Sequence, residues 1–294
     1  MPAQLNLSFI HIGYHKAAST WLQKRVFPRV PGLLICNEPH LDSERRPFLD
    51  SFVHADPFRF DKEEFLKYFT ATIERRVGDV SRFPLIGISD EALSGGYLNG
   101  MESRALADRL FDTFGPTRIL LVVRNQLDML LSIYSVYMVY GGVCSPLQMT
   151  RDVNANGRRL FNKLKYTGKI EYYRQLFGAE KVHVVFFETL IRERRPLQQF
   201  FQDLGISEGL PESPIEKENP GFSLAANGVM RQLNRLGVDR RYGQRLARLF
   251  SWDYREIDRQ HVRELFPDMV AEWREDNQRL AKILTTSLPP AYAL

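Results

Sequence analysis

The chain has 294 residues, of which 44% are hydrophobic and 26% are charged, so it is long enough to bury a sizeable core. These values exclude a disordered or fibrous protein. The formal net charge of +5 suits a small polyanionic ligand and does not require a nucleic acid, which we do not expect as a partner.

The cysteines and the N-terminal residues favour a cytoplasmic protein. Cys36 and Cys144 are too few for a disulfide framework and form no C-x-x-C pair, so we expect reduced thiols. The run MPAQLNLSFI lacks the basic and long apolar regions of a secretory signal. No apolar run approaches the roughly 18 residues of a membrane-spanning helix, so we expect no transmembrane segment.

Five short apolar runs bounded by turn residues predict buried strands, because parallel sheets covered on both faces use continuous apolar sequence. In chain order they are LSFIHI (7–12), GLLIC (32–36), PLIGI (84–88), RILLVV (118–123) and KVHVVFF (181–187). Helical patterns lie between them, over 61–77 and over 102–115, the second ending at a glycine suited to a C-cap. The alternation predicts an α/β fold with a central parallel sheet of about five strands flanked by helices.

The stretch HIGYHKAASTW (11–21) follows the first predicted strand and opens a helix. Such a loop offers free backbone N–H groups and the positive end of a helix dipole, which together bind phosphate. Gly13 permits the turn and Lys16 supplies a point charge, while Ser19 and Thr20 add hydroxyl donors. A Walker A loop instead has glycine directly before its lysine and serine or threonine directly after it, so an ATP or GTP hydrolase is disfavoured.

The same stretch resembles the 5′-phosphosulfate loop of sulfotransferases that use 3′-phosphoadenosine 5′-phosphosulfate (PAPS), whose form is aromatic-x-K-x-G-T-T-W. Ala18 replaces the glycine of that pattern, and Ser19 replaces its first threonine. Alanine tolerates positive φ poorly, which favours a different turn of the loop with the donors retained. The resemblance implies that Trp21 stacks on adenine, the alternative being a core tryptophan. It implies cofactor contacts from Gly13, Lys16, Ala17, Ala18, Ser19, Thr20 and Trp21.

A second segment, RILLVVRNQLDMLLSIY (118–134), resembles the 3′-phosphate site of these sulfotransferases, where an arginine ends a strand and a serine follows eight residues later. Arg124 and Ser132 have that spacing. The guanidinium can fork onto a phosphate, while Asn125 can cap the next helix and Ser132 lies two turns into it. Looser likeness, in KLKYTGKIEYYRQLFGAEKVHVVFFETL, extends the resemblance over about 8–200.

The loop KENPGFS (217–223) lies where the family closes a lid over the nucleotide. The resemblance implies contacts from Lys217, Asn219, Gly221 and Ser223, and an ordinary surface turn is the alternative. Strand signals stop near 206. We predict a single sulfotransferase domain over 1–294 with the P-loop NTPase-like sulfotransferase fold. Its parts are an α/β nucleotide-binding core over about 1–205 and a mostly helical C-terminal part over about 206–294.

Sulfuryl transfer needs a base for the acceptor hydroxyl and a cation for the leaving phosphate. Lys16 suits the leaving 5′-phosphate. Asp90 and Glu91 follow the third predicted strand in LIGISDEALSGG (85–96), at a point where some relatives carry a glutamate. Glu91 is the predicted base and Asp90 the alternative, unless both only cap a helix.

Three other residue patterns each have more than one explanation. His11 and His15 form an H-x-x-x-H that crosses from a strand into a loop, so we predict no metal site. Six arginines and one acid lie within 231–250, which fits either an anionic-glycan surface or a solvated helix face. Tyrosines recur at 134, 137 and 140 and line either an acceptor pocket or the core.

The resemblance, together with these residues, implies a PAPS-dependent sulfotransferase acting on a hydroxyl of a carbohydrate or another small polar acceptor. The product nucleotide is 3′-phosphoadenosine 5′-phosphate (PAP), and the scheme requires no metal because protein cations take the place of Mg²⁺. The alternatives are a P-loop nucleotide or small-molecule kinase and a non-catalytic nucleotide-binding regulatory protein. The oligomeric state has no signal in the sequence.

Overall fold

A computed structural model describes residues 5–37, 42–97, 100–151, 156–206, 222–250 and 255–294. The strands of these residues are β1 (Phe9–Gly13), β2 (Leu33–Ile35), β3 (Leu85–Ser89), β4 (Arg118–Val123) and β5 (Val182–Phe186). They form one five-stranded sheet in the order β2-β3-β1-β4-β5, and every neighbouring pair is parallel. The five predicted strands and the α/β fold class are therefore confirmed.

Helices lie between consecutive strands along the chain, as the alternating pattern predicts. The α-helices of the described residues are α1 (Ser19–Trp21), α2 (Asp42–Phe48), α3 (Lys62–Val77), α4 (Ser103–Phe114), α5 (Gln126–Val139), α6 (Pro146–Arg151), α7 (Asn156–Lys163), α8 (Thr167–Phe177), α9 (Phe187–Leu190), α10 (Arg195–Gln202), α11 (Leu224–Arg235), α12 (Arg240–Arg248), α13 (Arg255–Leu265) and α14 (Pro267–Leu284). Short π-helical turns lie at Leu22–Val26 and Leu49–Val53. Single 3₁₀ turns lie at Phe27–Arg29, Val80–Arg82, Glu91–Ser94, Ala179–Lys181 and Pro290–Tyr292.

Local sequence explains where the predicted helices begin and end. The Asp61 carboxylate accepts hydrogen bonds from the backbone N–H groups of Glu63 and Glu64, which caps α3. That helix buries Phe65, Phe69 and Ile73, spaced four apart on one face. As predicted, α4 ends at the glycine that follows it, Gly115, whose φ of 70° belongs to the left-handed region.

The chain divides into two compact units that are each continuous in space but not in sequence. Unit 1 comprises Met1–Val123 and Gly168–Ile215, and it holds the sheet with α1–α4 and α8–α10. Unit 2 comprises Arg124–Thr167 and Glu216–Leu294, and its described residues form α5–α7 and α11–α14. Residues 124–167 thus cluster with the C-terminal helices, whereas the sequence places them in the core. The single domain over 1–294 stays a prediction.

The order of the strands places β1 at the centre of the sheet, with β3 on one side and β4 on the other. Every residue of β1 is buried, and Phe9 contacts the rings of Phe27 and Phe200 at centroid distances of 5.7 and 5.4 Å. In open parallel sheets, ligands bind at the carboxyl ends of such strands, where the chain connections diverge. The described residues include no helix that is both long and apolar enough to cross a membrane.

Candidate active site

The loop after β1 carries two residues in the left-handed conformation, and neither of them is glycine. Both Lys16 and Ala18 have φ of 69°. Ala17 N donates to Tyr14 O at 3.0 Å, and Leu22 N donates to Ala18 O at 3.0 Å, so the turn leads directly into α1. Ala18 therefore adopts the conformation that glycine favours, at a conformational cost of about 1 kcal/mol.

Replacing Ala18 by glycine is expected to stabilise the chain by about 1 kcal/mol, because glycine has no Cβ to oppose the left-handed backbone. The free energy of unfolding from urea denaturation measures this gain. Ala71→Gly is the matched control. Its site lies inside α3, where glycine is expected to cost about 1 kcal/mol. A loss of stability in Ala18→Gly as large as in this control would contradict strain at residue 18.

Gly13 packs closely against Ser19 and His11. A Cβ placed on Gly13 would lie 2.0 Å from Ser19 Oγ, far inside normal contact, and 3.2 Å from the nearest His11 ring atoms, so a larger residue would displace the Ser19 hydroxyl. Ser19 is buried, and its Oγ has no hydrogen-bond partner among the described residues. A buried hydroxyl without a partner is costly, so this group is well suited to donate to a bound anion.

A buried polar network lies beneath the loop and connects β1, β2 and β3. His11 Nδ1 and Ser89 Oγ are joined by a 2.7 Å hydrogen bond, and Gln23 Nε2 donates to the same Oγ at 3.0 Å. Asn37 Nδ2 donates to Ser89 O at 3.1 Å, and Ser89 N donates to Asn37 Oδ1 at 3.0 Å. This network ties the loop to the carboxyl ends of the strands. In this network, the His11 side chain is buried and neutral.

Burial lowers the pKa of His11 to about 3, which predicts a loss of stability in acid. The folded chain keeps His11 neutral, whereas the unfolded chain takes up a proton near pH 6.5. Stability therefore falls as the pH drops from 6.5 towards 3, by about 2.7 kcal/mol at pH 4.5 from this residue alone. His11→Asn should remove that part of the difference in unfolding free energy between pH 7 and pH 4.5. The exposed His54→Asn should retain it, and an unchanged difference in His11→Asn would contradict the assignment.

The two carboxylates after β3 have different environments. Asp90 is fully buried, accepts from Ala92 N at 2.9 Å and receives Arg45 Nε and Nη2 at 2.9 and 3.1 Å. Asp90 N donates to His11 O at 3.3 Å, which holds the end of β3 beside β1. Asp90 is thus an ion-paired structural carboxylate that caps the turn after β3, in agreement with the capping alternative for this residue. Glu91 is half-buried and begins the 3₁₀ turn Glu91–Ser94.

Lys169 joins the loop after β1 to the turn after β3. Its Nζ lies 4.7 Å from the centre of the Tyr14 ring and donates to Ser94 O at 2.7 Å. His15 and Tyr97 form a second connection, with ring centroids 4.7 Å apart. These contacts bring the segments that carry Lys16 and Glu91 together at the carboxyl ends of β1 and β3.

Trp21 is buried, and the Arg194 guanidinium lies over its ring at 4.6 Å from the centroid. This cation–π contact fixes the ring, and the role of Trp21 in stacking on adenine stays a prediction. Ala17 is fully buried, and Thr20 and Lys16 are half-buried. The predicted loop residues therefore form one continuous structure at the end of β1.

In unit 2, the predicted 3′-phosphate segment follows β4 without a gap. Asn125 Oδ1 accepts from Leu127 N at 3.0 Å and from Asp128 N at 3.2 Å, so it caps α5 as predicted. Arg124 is half-buried and its carbonyl accepts from Tyr166 Oη at 2.6 Å. Ser132 is buried on α5. Both phosphate-binding roles stay predictions.

Most of the predicted lid contacts lie outside the described residues. Lys217, Asn219 and Gly221 lie outside the described residues. Ser223 caps α11, since its Oγ accepts from Ala226 N at 3.2 Å and donates to Phe250 O at 3.1 Å. Its hydroxyl therefore has a structural role.

Two cations near the candidate site were not predicted from the sequence. Arg45 comes from α2, and Lys169 comes from α8. For Lys169 there was one indication in the sequence, since this residue lies in the run KLKYTGKIEYYRQLFGAEKVHVVFFETL, which loosely resembles the family. Their roles depend on tertiary contacts with Asp90, Tyr14 and Ser94. Among the described residues, no cluster of three His, Cys, Asp or Glu side chains could hold a metal ion.

Comparison with known proteins extends the fold assignment. No protein-family model matches the chain, and no curated protein is significantly similar to it. Among solved structures, a sulfotransferase from Alicyclobacillus acidocaldarius is similar with a TM-score of 0.59 and 16% sequence identity. The likeness covers 98% of this chain and 99% of that one. The chain therefore shares the sulfotransferase fold, which confirms the fold predicted from the sequence.

Proposed function

We propose that this chain is a sulfotransferase that moves a sulfuryl group from PAPS to a hydroxyl of a carbohydrate or another small polar acceptor. The main support is the loop after β1, which places the buried Ser19 hydroxyl, without a hydrogen-bond partner in the described part of the chain, near a lysine in a left-handed turn. This loop sits at the end of the central strand, in a fold shared with a sulfotransferase. A cytoplasmic location agrees with Cys36 and Cys144 being free thiols.

The proposed mechanism assigns one task to each residue. Bound PAPS supplies the sulfuryl group. Glu91 accepts the proton of the acceptor hydroxyl. The hydroxyl oxygen attacks the sulfur while the bond between the sulfur and the 5′-phosphate oxygen breaks. Lys16, Ser19 and the N–H groups at the start of α1 stabilise the charge that grows on the leaving phosphate. No metal is needed in this scheme.

Two residues of the segment that follows β4 are assigned to the nucleotide. Arg124 binds the 3′-phosphate through paired guanidinium hydrogen bonds, and Ser132 adds a hydroxyl donor. The 3′-phosphate distinguishes PAPS from ATP, so Arg124 is the residue that selects the cofactor. These two roles are supported by the spacing of eight residues between Arg124, directly after β4, and Ser132, on the capped helix α5.

Thermal unfolding with PAP, AMP, ADP and ATP, each with and without Mg²⁺, tests the proposal. A ligand at about 100 times its Kd stabilises by about 2.7 kcal/mol, which is readily seen in the midpoint. We expect a shift that needs the 3′-phosphate and no metal. A shift with ATP and Mg²⁺ instead would indicate the kinase, and no shift with any nucleotide would overturn the proposal.

Arg124→Ala is expected to weaken PAP binding by about 30-fold or more while AMP binding changes little, because only PAP carries the 3′-phosphate. Isothermal titration of both nucleotides measures the two affinities. Arg263→Ala, on α13 of the same unit, is the control and should bind both like the unchanged chain. An equal loss for PAP and AMP would contradict the assigned role.

A further inference from the structure

Helix α12 in unit 2 contacts the rest of its unit through its smallest residues. Gly243 and Ala247 are its buried positions. A Cβ on Gly243 would lie 3.2 Å from Met230 Cε, and Ala247 belongs to a core cluster with Met230 and Met138. The inner face is therefore narrow and tightly packed, and the large side chains of the helix are on its outer side.

The outer side carries an exposed apolar stripe. Tyr242, Leu246 and Leu249 are 65%, 45% and 67% exposed, and Phe250 is 51% exposed. Spacings of four and three residues place the first three on one face of the helix. Exposed large apolar residues are ordinary when scattered, but a contiguous group of them marks an interaction surface.

Arginines lie beside this stripe. Arg241, Arg245 and Arg248 are exposed and have the same spacing, shifted by one residue, so they occupy the adjacent face. No acidic residue occurs in 240–250. We name the combination of Arg241, Tyr242, Arg245, Leu246, Arg248, Leu249 and Phe250 the α12 patch.

We infer that the α12 patch docks the protein on an anionic lipid bilayer. A helix that lies in a membrane interface buries an apolar stripe among the acyl chains and holds basic residues at the level of the lipid headgroups. Arginine side chains suit this position, since their long stems reach from the apolar boundary to the phosphates. The cytoplasmic leaflet carries the negative charge that complements this patch.

The charge and the exposed apolar residues of the α12 patch favour a bilayer over other binding partners. An anionic glycan would pair with the arginines but would leave Leu246, Leu249 and Phe250 in water. A second copy placed symmetrically on this face would bring the arginines of both copies together, and the α12 patch itself contains no acid to pair with them. The bilayer is the partner that uses both halves of the patch.

Co-sedimentation of the full chain with lipid vesicles tests the inference without an activity assay. We expect binding to phosphatidylcholine vesicles that contain phosphatidylserine, weakened by salt, and little binding to pure phosphatidylcholine. Arg241→Gln/Arg245→Gln/Arg248→Gln should lower the partition coefficient by about 100-fold. Leu246→Ser/Leu249→Ser should lower it by about 10-fold or more. Each of these residues is exposed, so the variants should keep the unfolding midpoint.

Matched controls lie on unit 1. Arg59→Gln/Lys67→Gln/Arg75→Gln removes the same three charges, and Phe58→Ser removes a side chain that is 96% exposed. Both should bind vesicles like the unchanged chain. Equal binding to both vesicle types, or equal losses in the controls, would overturn the inference. A loss only in the arginine variant, matched by binding to a sulfated polysaccharide, would assign the patch to a glycan. A dimer that Leu246→Ser/Leu249→Ser dissociates would assign it to a second copy.

Discussion

Turnover is expected to fall by about 10²- to 10⁴-fold when Glu91 is replaced by glutamine, because the amide cannot accept the proton of the acceptor hydroxyl. Glutamine keeps the size of the side chain, so nucleotide binding should be nearly unchanged. PAP release from PAPS, with an acceptor found among simple glycosides, measures the rate. Isothermal titration with PAP measures the affinity.

Two further variants make this result specific. Glu74→Gln changes an exposed carboxylate of α3 and should leave turnover unchanged. Asp90→Asn removes the buried negative charge that pairs with Arg45, so it should lower the unfolding midpoint. Full activity in Glu91→Gln would exclude Glu91 as the base. Bound PAP with no transfer to any acceptor, even in the unchanged chain, would favour the regulatory alternative.

Replacing Lys16 by glycine is expected to give a protein that is almost inactive but more stable than the alanine variant. Lys16 has a φ of 69°, which glycine adopts without strain, so Lys16→Gly should be more stable than Lys16→Ala by about 1 kcal/mol. Both variants lose the cation that the proposed mechanism places on the leaving phosphate, so turnover should fall by about 10²- to 10³-fold in each. Urea denaturation and PAP release measure the two effects separately.

The matched control is Lys24→Ala, which removes an exposed lysine from the π-helical turn after α1. It should leave turnover unchanged. If Lys16→Gly kept its activity, the leaving group would depend on Ser19 and the backbone N–H groups alone. If Lys16→Gly were less stable than Lys16→Ala, the left-handed turn would not be a source of strain. Either outcome would revise the account of the loop.

The predictions that follow from short-range sequence were the ones confirmed. Continuous apolar runs marked the five strands to within two residues, because burial on both faces leaves little room for polar side chains. Gly115 ends α4 and Asn125 caps α5 for local reasons, a left-handed backbone and a side-chain oxygen that reaches N–H groups two and three residues ahead.

Long-range contacts decided what the sequence left open at the candidate site. Asp90 and Glu91 are adjacent acids, and the ion pair with Arg45, 45 residues away along the chain, adds to the local cap on Ala92 N in making the first a structural carboxylate. His11 had a competing interpretation as part of a metal motif. Its contact with Ser89, 78 residues away, makes it a buried neutral member of the network beneath the loop.

The sequence by itself therefore determined the strands, the α/β fold class and the family resemblance, because these depend on neighbours a few residues apart. Only the tertiary structure decided the strand order, the close contact of Gly13 with Ser19 and the strained backbone of Ala18. It also decided that the outer face of α12 is exposed. Each of these results depends on segments brought together by packing, and packing partners distant along the chain leave no pattern in a single sequence.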